Sequence, residues 1–199
     1  MVVFLKPFGP YQTNCYILKD NNKEIIIDPG EGSYSWVMNN VKDPRAILLT
    51  HGHFDHIYDA TVLKRELKIP IFIHKLDAFM LRSDKDFCGY ECCEADFMID
   101  EGEYKFGGFK FKFLHFPGHT PGCCMIQIEN LMFSGDFLFK ESVGRWDFEY
   151  SSRSDMLKSL IKSKNLQGNF NMYPGHGLAT TWEKEKENID VYIRYVQRS

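Results

Sequence analysis

No stretch of the 199-residue chain is apolar for the length that a bilayer span needs, so a membrane-embedded protein is not expected. A basic excess is missing too: 24 Lys and Arg face 27 Asp and Glu, a formal charge of −3. Nucleic-acid binders usually carry a basic face, so neither DNA nor RNA is an expected partner. Cysteine is sparse, six in all, too few for the disulfide scaffold of a small secreted domain. Cys88, Cys92 and Cys93 form one ragged cluster without a second paired motif. That disfavours a structural zinc knot and leaves the role of the cluster open. Together with Cys15, Cys123 and Cys124, these residues read as small, reduced packing groups. The opening Met1-Val-Val-Phe-Leu-Lys-Pro-Phe-Gly-Pro has no basic leader, and Pro7 and Pro10 interrupt it. A cytoplasmic location is therefore expected.

What is present suits an ordinary globular enzyme. Hydrophobic residues make up 44% and charged ones 26%, enough to bury a sizeable core within one domain spanning residues 1–199, as a monomer or small homo-oligomer. Short β-rich runs are predicted at Val2–Lys6, Asn14–Lys19, Glu24–Asp28, Ala46–Thr50, Ile71–Ile73 and Phe170–Tyr173. Tyr104–Phe116 alternates Phe with Lys around Gly107-Gly108, the pattern of a hairpin with one wet face, and residues 125–134 repeat the motif around Glu129-Asn130. Helices are predicted over Ser33–Lys42, Asp55–Leu67, Leu76–Leu81, Ser154–Lys162 (with Ser154 as its cap) and Thr181–Val196. The expected architecture is α/β: two antiparallel-rich sheets packed face to face under helical covers.

The histidines concentrate at strand ends. Thr50-His51-Gly-His53-Phe-Asp55-His56 places three imidazoles and a carboxylate between a strand and a helix. Imidazole nitrogen and carboxylate oxygen suit zinc and similar divalent ions. In extended backbone His51 and His53 point the same way, so they can grip one ion, while Asp55 and His56 can face a second position. Three later segments each set one further ligand-type group beside glycine, where backbone can approach closely. They are Pro117-Gly-His119, Ser134-Gly-Asp136 and Pro174-Gly-His176.

This succession of motifs resembles the metallo-β-lactamase superfamily, beginning with Gln12-Thr-Asn-Cys-Tyr-Ile-Leu and Ile27-Asp-Pro-Gly and running almost the whole chain. Within it, Gly135-Asp-Phe-Leu-Phe and Gly144-Arg-Trp-Asp are most similar to the short glyoxalase II (hydroxyacylglutathione hydrolase) branch and to persulfide dioxygenases. The resemblance implies a four-layer αββα sandwich with the metals at one edge. It further implies His51, His53 and His119 on a first metal, Asp55, His56 and His176 on a second, and Asp136 bridging them.

Two divalent ions, two Zn2+ or alternatively Fe or mixed Zn/Fe, bring four positive charges, of which Asp55 and Asp136 offset two. The expected reaction is attack of a metal-bridging hydroxide on an acyl carbonyl of a small anionic thioester such as S-lactoylglutathione. A thiolate leaves with little acid help, whereas an amide nitrogen must be protonated, and the acids in view for that are the catalytic carboxylate Asp55 or a metal-bound water. Arg145 stands where glyoxalase II has a basic residue for the glutathione part, and its competing role is a salt bridge to Asp147. Asp147 replaces the aromatic of that branch, and only 23 residues (199 − 176) follow His176, which puts glutathione in question as the thiol. The alternative is a persulfide dioxygenase holding one iron on His51, His119 and Asp136. A diiron flavoprotein scaffold is disfavoured by His53, where that group has Glu. His74 and His115 read as packing or supporting groups, Asp28 as a turn former. Phe137, Phe139, Trp146, Phe148 and Tyr150 are candidate walls for the cleft.

Overall fold

A computed structural model describes residues 1–84 and 88–198 of the chain. The chain opens with β1 (Val2–Phe8), β2 (Thr13–Asp20) and β3 (Lys23–Ile27), each antiparallel to the one before. From β3 onward the pattern changes. Helix α1 (Tyr34–Asn40) carries the chain over to β4 (Pro44–Leu48), which lies parallel to β3. Helices α2 (Phe54–Ile57) and α3 (Ala60–Leu67) lead to β5 (Ile71–His74), and α4 (Ala78–Arg82) precedes β6 (Phe97–Ile99). Strands β4, β5 and β6 continue in parallel, completing a six-stranded sheet in the order β1-β2-β3-β4-β5-β6.

The second sheet starts with the Phe/Lys hairpin, β7 (Gly102–Phe106) and β8 (Phe109–His115), followed by β9 (Cys124–Ile128) and β10 (Leu131–Gly135). A small ribbon, β11 (Leu138–Phe139) with β12 (Ser142–Val143), leads to α5 (Arg153–Ser163). Strand β13 (Asn171–Pro174) then returns parallel to β10, and β14 (Thr180–Thr181) and α6 (Trp182–Arg198) close the fold. Among the described residues, no helix is long and apolar enough to cross a membrane.

Strand alternation explains the layering. Tyr16, Leu18, Ile25, Ile27, Ala46 and Leu48 of the first sheet meet Phe109, Phe111, Phe113, Ile126 and Phe133 of the second in one central core. The opposite face of the first sheet, with Ile26, Ile47, Leu49 and Ile73, buries Val37, Ile57, Leu63 and Leu81 of its helices. The outer face of the second sheet, with Met125, Met132 and Met172, packs on Met156, Leu160, Trp182 and Ile189 of α5 and α6. The result is the αββα sandwich.

Four details differ from expectation. The first sheet, expected to be antiparallel-rich, is half parallel, because the helices predicted between its strands act as crossovers joining β3, β4, β5 and β6. The helix expected over Asp55–Leu67 breaks at Tyr58-Asp59. There the Asp59 carboxylate accepts from the Tyr34 N–H at 2.8 Å and its own N–H donates to the Pro29 carbonyl at 3.0 Å, so neither serves a continuous helix. Strand β6 carries exposed Phe97 and Met98 and gave no alternating signal. The cap of α5 is Ser152, whose Oγ accepts from the Asp155 N–H at 3.2 Å, and not Ser154. Ser152→Ala should therefore cost about 1 kcal/mol in urea unfolding and Ser154→Ala markedly less; equal losses would contradict this assignment.

Candidate metal centre

All seven ligand-type residues reach one edge of the sandwich. His51 and His53 follow β4, Asp55 and His56 occupy α2, and His119 lies between β8 and β9. Because β10 and β13 are parallel, Asp136 and His176 leave the second sheet side by side. Their donor atoms converge. His51, His53 and His119 form one group, Asp55, His56 and His176 a second, each with its ligand atoms within 4.8 Å of one another. Asp136 faces both: Oδ2 is 3.3 Å from His119 Nε2 and 3.3 Å from His176 Nε2, and Oδ1 is 3.3 Å from His56 Nε2. Glycine makes this closeness possible, since a Cβ on Gly175 would lie 2.1 Å from Asp136 Oδ1.

Four of the five imidazoles are aimed by what their other nitrogen touches. His56 Nδ1 pairs with Asp28 Oδ2 at 3.0 Å, His119 Nδ1 donates to the Arg145 carbonyl at 2.8 Å, and His176 Nδ1 to the Tyr11 carbonyl at 3.0 Å. Thr50 Oγ1 lies 3.1 Å from His51 Nδ1 and also donates to Asp28 Oδ2 at 2.6 Å. The inward nitrogens are thereby left for a ligand, as in metal sites generally. The fit to a cation shows in what remains unmatched. His51 Nε2 and Asp136 Oδ1 are buried polar atoms without a hydrogen-bond partner, a costly state that a metal ion relieves.

Protonation follows the same logic. Burial, aided by neighbouring imidazoles, drives the His51 pKa well down and that of His53 to about 3, keeping their lone pairs free. Against the opposing effect of burial, Asp55 and Asp136 hold the His56 pKa well above its usual value, and hydrogen bonds to Asp136 and Asp55 lift His176 to about 9. Those two carboxylates recruit protons in the absence of a stronger cation. Ions binding near neutral pH should consequently expel protons, visible as a buffer-dependent enthalpy in titration calorimetry. Identical enthalpies in buffers of different ionisation heat would contradict this.

Two supporting groups carried little sequence signal. Asp28, read as a turn residue, orients His56 and accepts from the Thr50 N–H at 2.8 Å; its place in Ile27-Asp-Pro-Gly was the available hint. Asp77, fully buried, accepts from the Gly52 N–H (3.0 Å), Thr120 Oγ1 (2.6 Å) and the Gly122 N–H (2.5 Å), tying the His51/His53 loop to the His119 loop. Burial pushes its carboxyl up to about 6 although all three donors work the other way. Because that value exceeds the ordinary 3.8, the folded state holds this proton more tightly, and its contribution to stability is lost as pH rises through 6. Asp77→Asn should destabilise metal-free protein by roughly 2–4 kcal/mol and remove this stability loss between pH 4 and 6. Parallel pH–stability curves for variant and wild type would refute that account.

The remaining candidates separate. Arg145 points its guanidinium outward and pairs bidentately with Asp147 at 2.8 Å, both exposed, while lying over the Phe148 ring at 4.3 Å. His74 and His115 stack on each other at 4.1 Å away from the cluster. Phe137 is core and Trp146 packs on Tyr195, whereas Phe148 and Tyr150 line a cleft of about 330 Å³ that opens on His53, Asp55, His119, Asp136 and His176.

Residues 8–176 match the family model described as the metallo-beta-lactamase superfamily. Hydroxyacylglutathione hydrolase GloC of Haemophilus influenzae is 33% identical over 206 residues, covering 94% of this chain and 96% of that protein. The solved BLEG-1 B3 metallo-beta-lactamase superposes with a TM-score of 0.85 at 31% identity over 94% of this chain and 97% of that one. TTHA1623, solved in a di-iron-bound form, does so at 0.78 and 31%, over 92% and 96%.

Proposed function

The chain belongs to the metallo-beta-lactamase superfamily, and from that premise we propose that it is a cytoplasmic, dinuclear zinc hydrolase of small anionic thioesters, of the glyoxalase II type. The observation that carries this reading is the double-facing Asp136, set between two trios of donors. In it, His51, His53 and His119 would hold one ion, Asp55, His56 and His176 the other, with Asp136 shared between them. Divalent ions so held would lower the pKa of a coordinated water toward neutrality and polarise a carbonyl.

The chain's own residues favour a thiol as leaving group. Against burial, His56, with His176 and Thr13, holds the Asp55 carboxyl down at about 2, so Asp55 stays ionised and is a poor acid for an amide nitrogen. A thiolate needs no such acid. The relative named hydroxyacylglutathione hydrolase agrees with this choice. Arg145 is the proposed anchor for a carboxylate on the thiol half, since its partner Asp147 is exposed and such surface pairs are weakly held. The cytoplasmic assignment draws support from the six cysteines, none of which is joined in a disulfide.

Metal analysis beside activity tests the reading. Near two zinc per chain with hydrolysis of S-acyl thiols is the expected result. One iron per chain with oxygen uptake on glutathione persulfide would put a mononuclear dioxygenase in its place, and turnover of a β-lactam without thioester turnover would favour a lactamase. His53→Ala and Asp136→Ala should each cut hydrolysis by more than about 100-fold, beyond what losing a mere orienting partner costs. Arg145→Ala should raise KM more than it lowers kcat; an unchanged KM removes Arg145 from the binding surface.

A further inference from the structure

The cleft above the metal cluster is built for something apolar. Tyr11 and Phe54 meet edge to face at 5.5 Å, and Phe79 and Tyr150 do the same at 5.1 Å. Phe148 stands against the rings of both His53 and His119, at 5.7 and 5.8 Å, so an aromatic face borders the reacting centre directly. Met80 adds a flexible thioether to the lining. Tyr11 is 60% exposed, Phe148 42% and Tyr150 41%. Leaving that much ring surface open beside a reaction centre is the mark of a ligand-binding wall.

Charge decides which half of a thioester enters. Away from the metal ligands, the described residues lining the cleft include one charged group, Glu149, and neither Lys nor Arg. A carboxylate-bearing thiol such as glutathione would meet repulsion there. Arg145 lies over Phe148 with its guanidinium side chain largely in solvent, outside that lining. Building on the thioester reading above, we infer that the aromatic cleft is the acyl subsite and that the preferred substrates are thioesters of uncharged, apolar acyl groups. Medium straight chains and arylacetyl groups fit this description; small hydroxylated acyl groups such as lactoyl do not exploit it. In the hydrolysis, a C–O bond forms from water as the C–S bond breaks. The sulfur leaves with the bonding pair, and the two protons of the water go to the thiolate and to solvent.

The zinc-loaded protein is assayed on glutathione thioesters of lactate, butanoate, hexanoate and phenylacetate, and on hexanoyl thioesters of several thiols. Burying one methylene is worth about fourfold, so kcat/KM should rise more than about tenfold from butanoyl to hexanoyl, with lactoyl lowest. The Phe79→Ala/Tyr150→Ala protein should bring that rise below about threefold, as should Tyr11→Ala at its exposed ring, with metal content measured on each. A flat acyl series on active enzyme overturns the inference and leaves the thioesterase reading standing. Preference that follows the thiol and not the acyl group overturns it equally, by putting the other half in the cleft. No turnover of any thioester by fully loaded protein removes both.

Discussion

Five imidazoles and two carboxylates drawn into one largely buried hollow do not sit comfortably on their own. Lone pairs face lone pairs: His53 Nδ1 lies 2.8 Å from His119 Nε2, and His56 Nε2 lies 3.4 Å from His176 Nε2. Either a proton or a metal ion must stand between such atoms. The surrounding fold makes the proton the weaker solution, because burial disfavours charged His51, His53 and His119 while Asp55 and Asp136 demand positive charge nearby. A pair of divalent cations meets both demands at once. The rest of the molecule can be understood as the frame that keeps these groups from drifting apart.

That frame is a set of buried hydrogen bonds reaching between loops. Asp28 locks the end of β3 to Thr50 and His56, and Asp77 joins the loops bearing His51, His53 and His119. The two sheets are also joined at this edge. Asn14 and Tyr16 of β2 both donate to the Pro174 carbonyl, at 3.0 and 2.5 Å, and the Asn14 N–H donates to the Gly175 carbonyl at 2.7 Å. The loop carrying His176 is thus held by the opposite half of the sandwich. The same edge carries the aromatic wall of the cleft, with Phe148 against the rings of His53 and His119.

The convergence of the seven donor-type residues was legible because such groups beside glycine, repeated at strand ends, are a pattern that packing alone does not produce. The face-to-face sheets were legible from period-two alternation in residues such as Phe109, Phe111 and Phe113. What failed to show has a common cause: it depends on partners distant along the chain. The break at Asp59 answers to Tyr34 and Pro29, Asp77 to three donors beyond its own loop, and β6 to the neighbouring strand β5. Strand direction in the first sheet is set by the helices between β3, β4, β5 and β6, which the periodicity did predict without their parallel consequence being drawn. Arg145 shows a subtler limit, for its backbone carbonyl supports His119 while its side chain turns away to Asp147. Residue type advertises the side chain and is silent about the carbonyl.

The spread of the ligands along the chain has a further consequence. Between His51 and His176 lie β5 through β13, and the cage has no complete wall until β13 has paired with β10 and docked against β2. The full set of donors comes together only when both sheets have formed, so the cluster is a product of the completed fold. An ion held there would bind the native state alone and join its two halves, so its binding free energy would add to the stability of the fold.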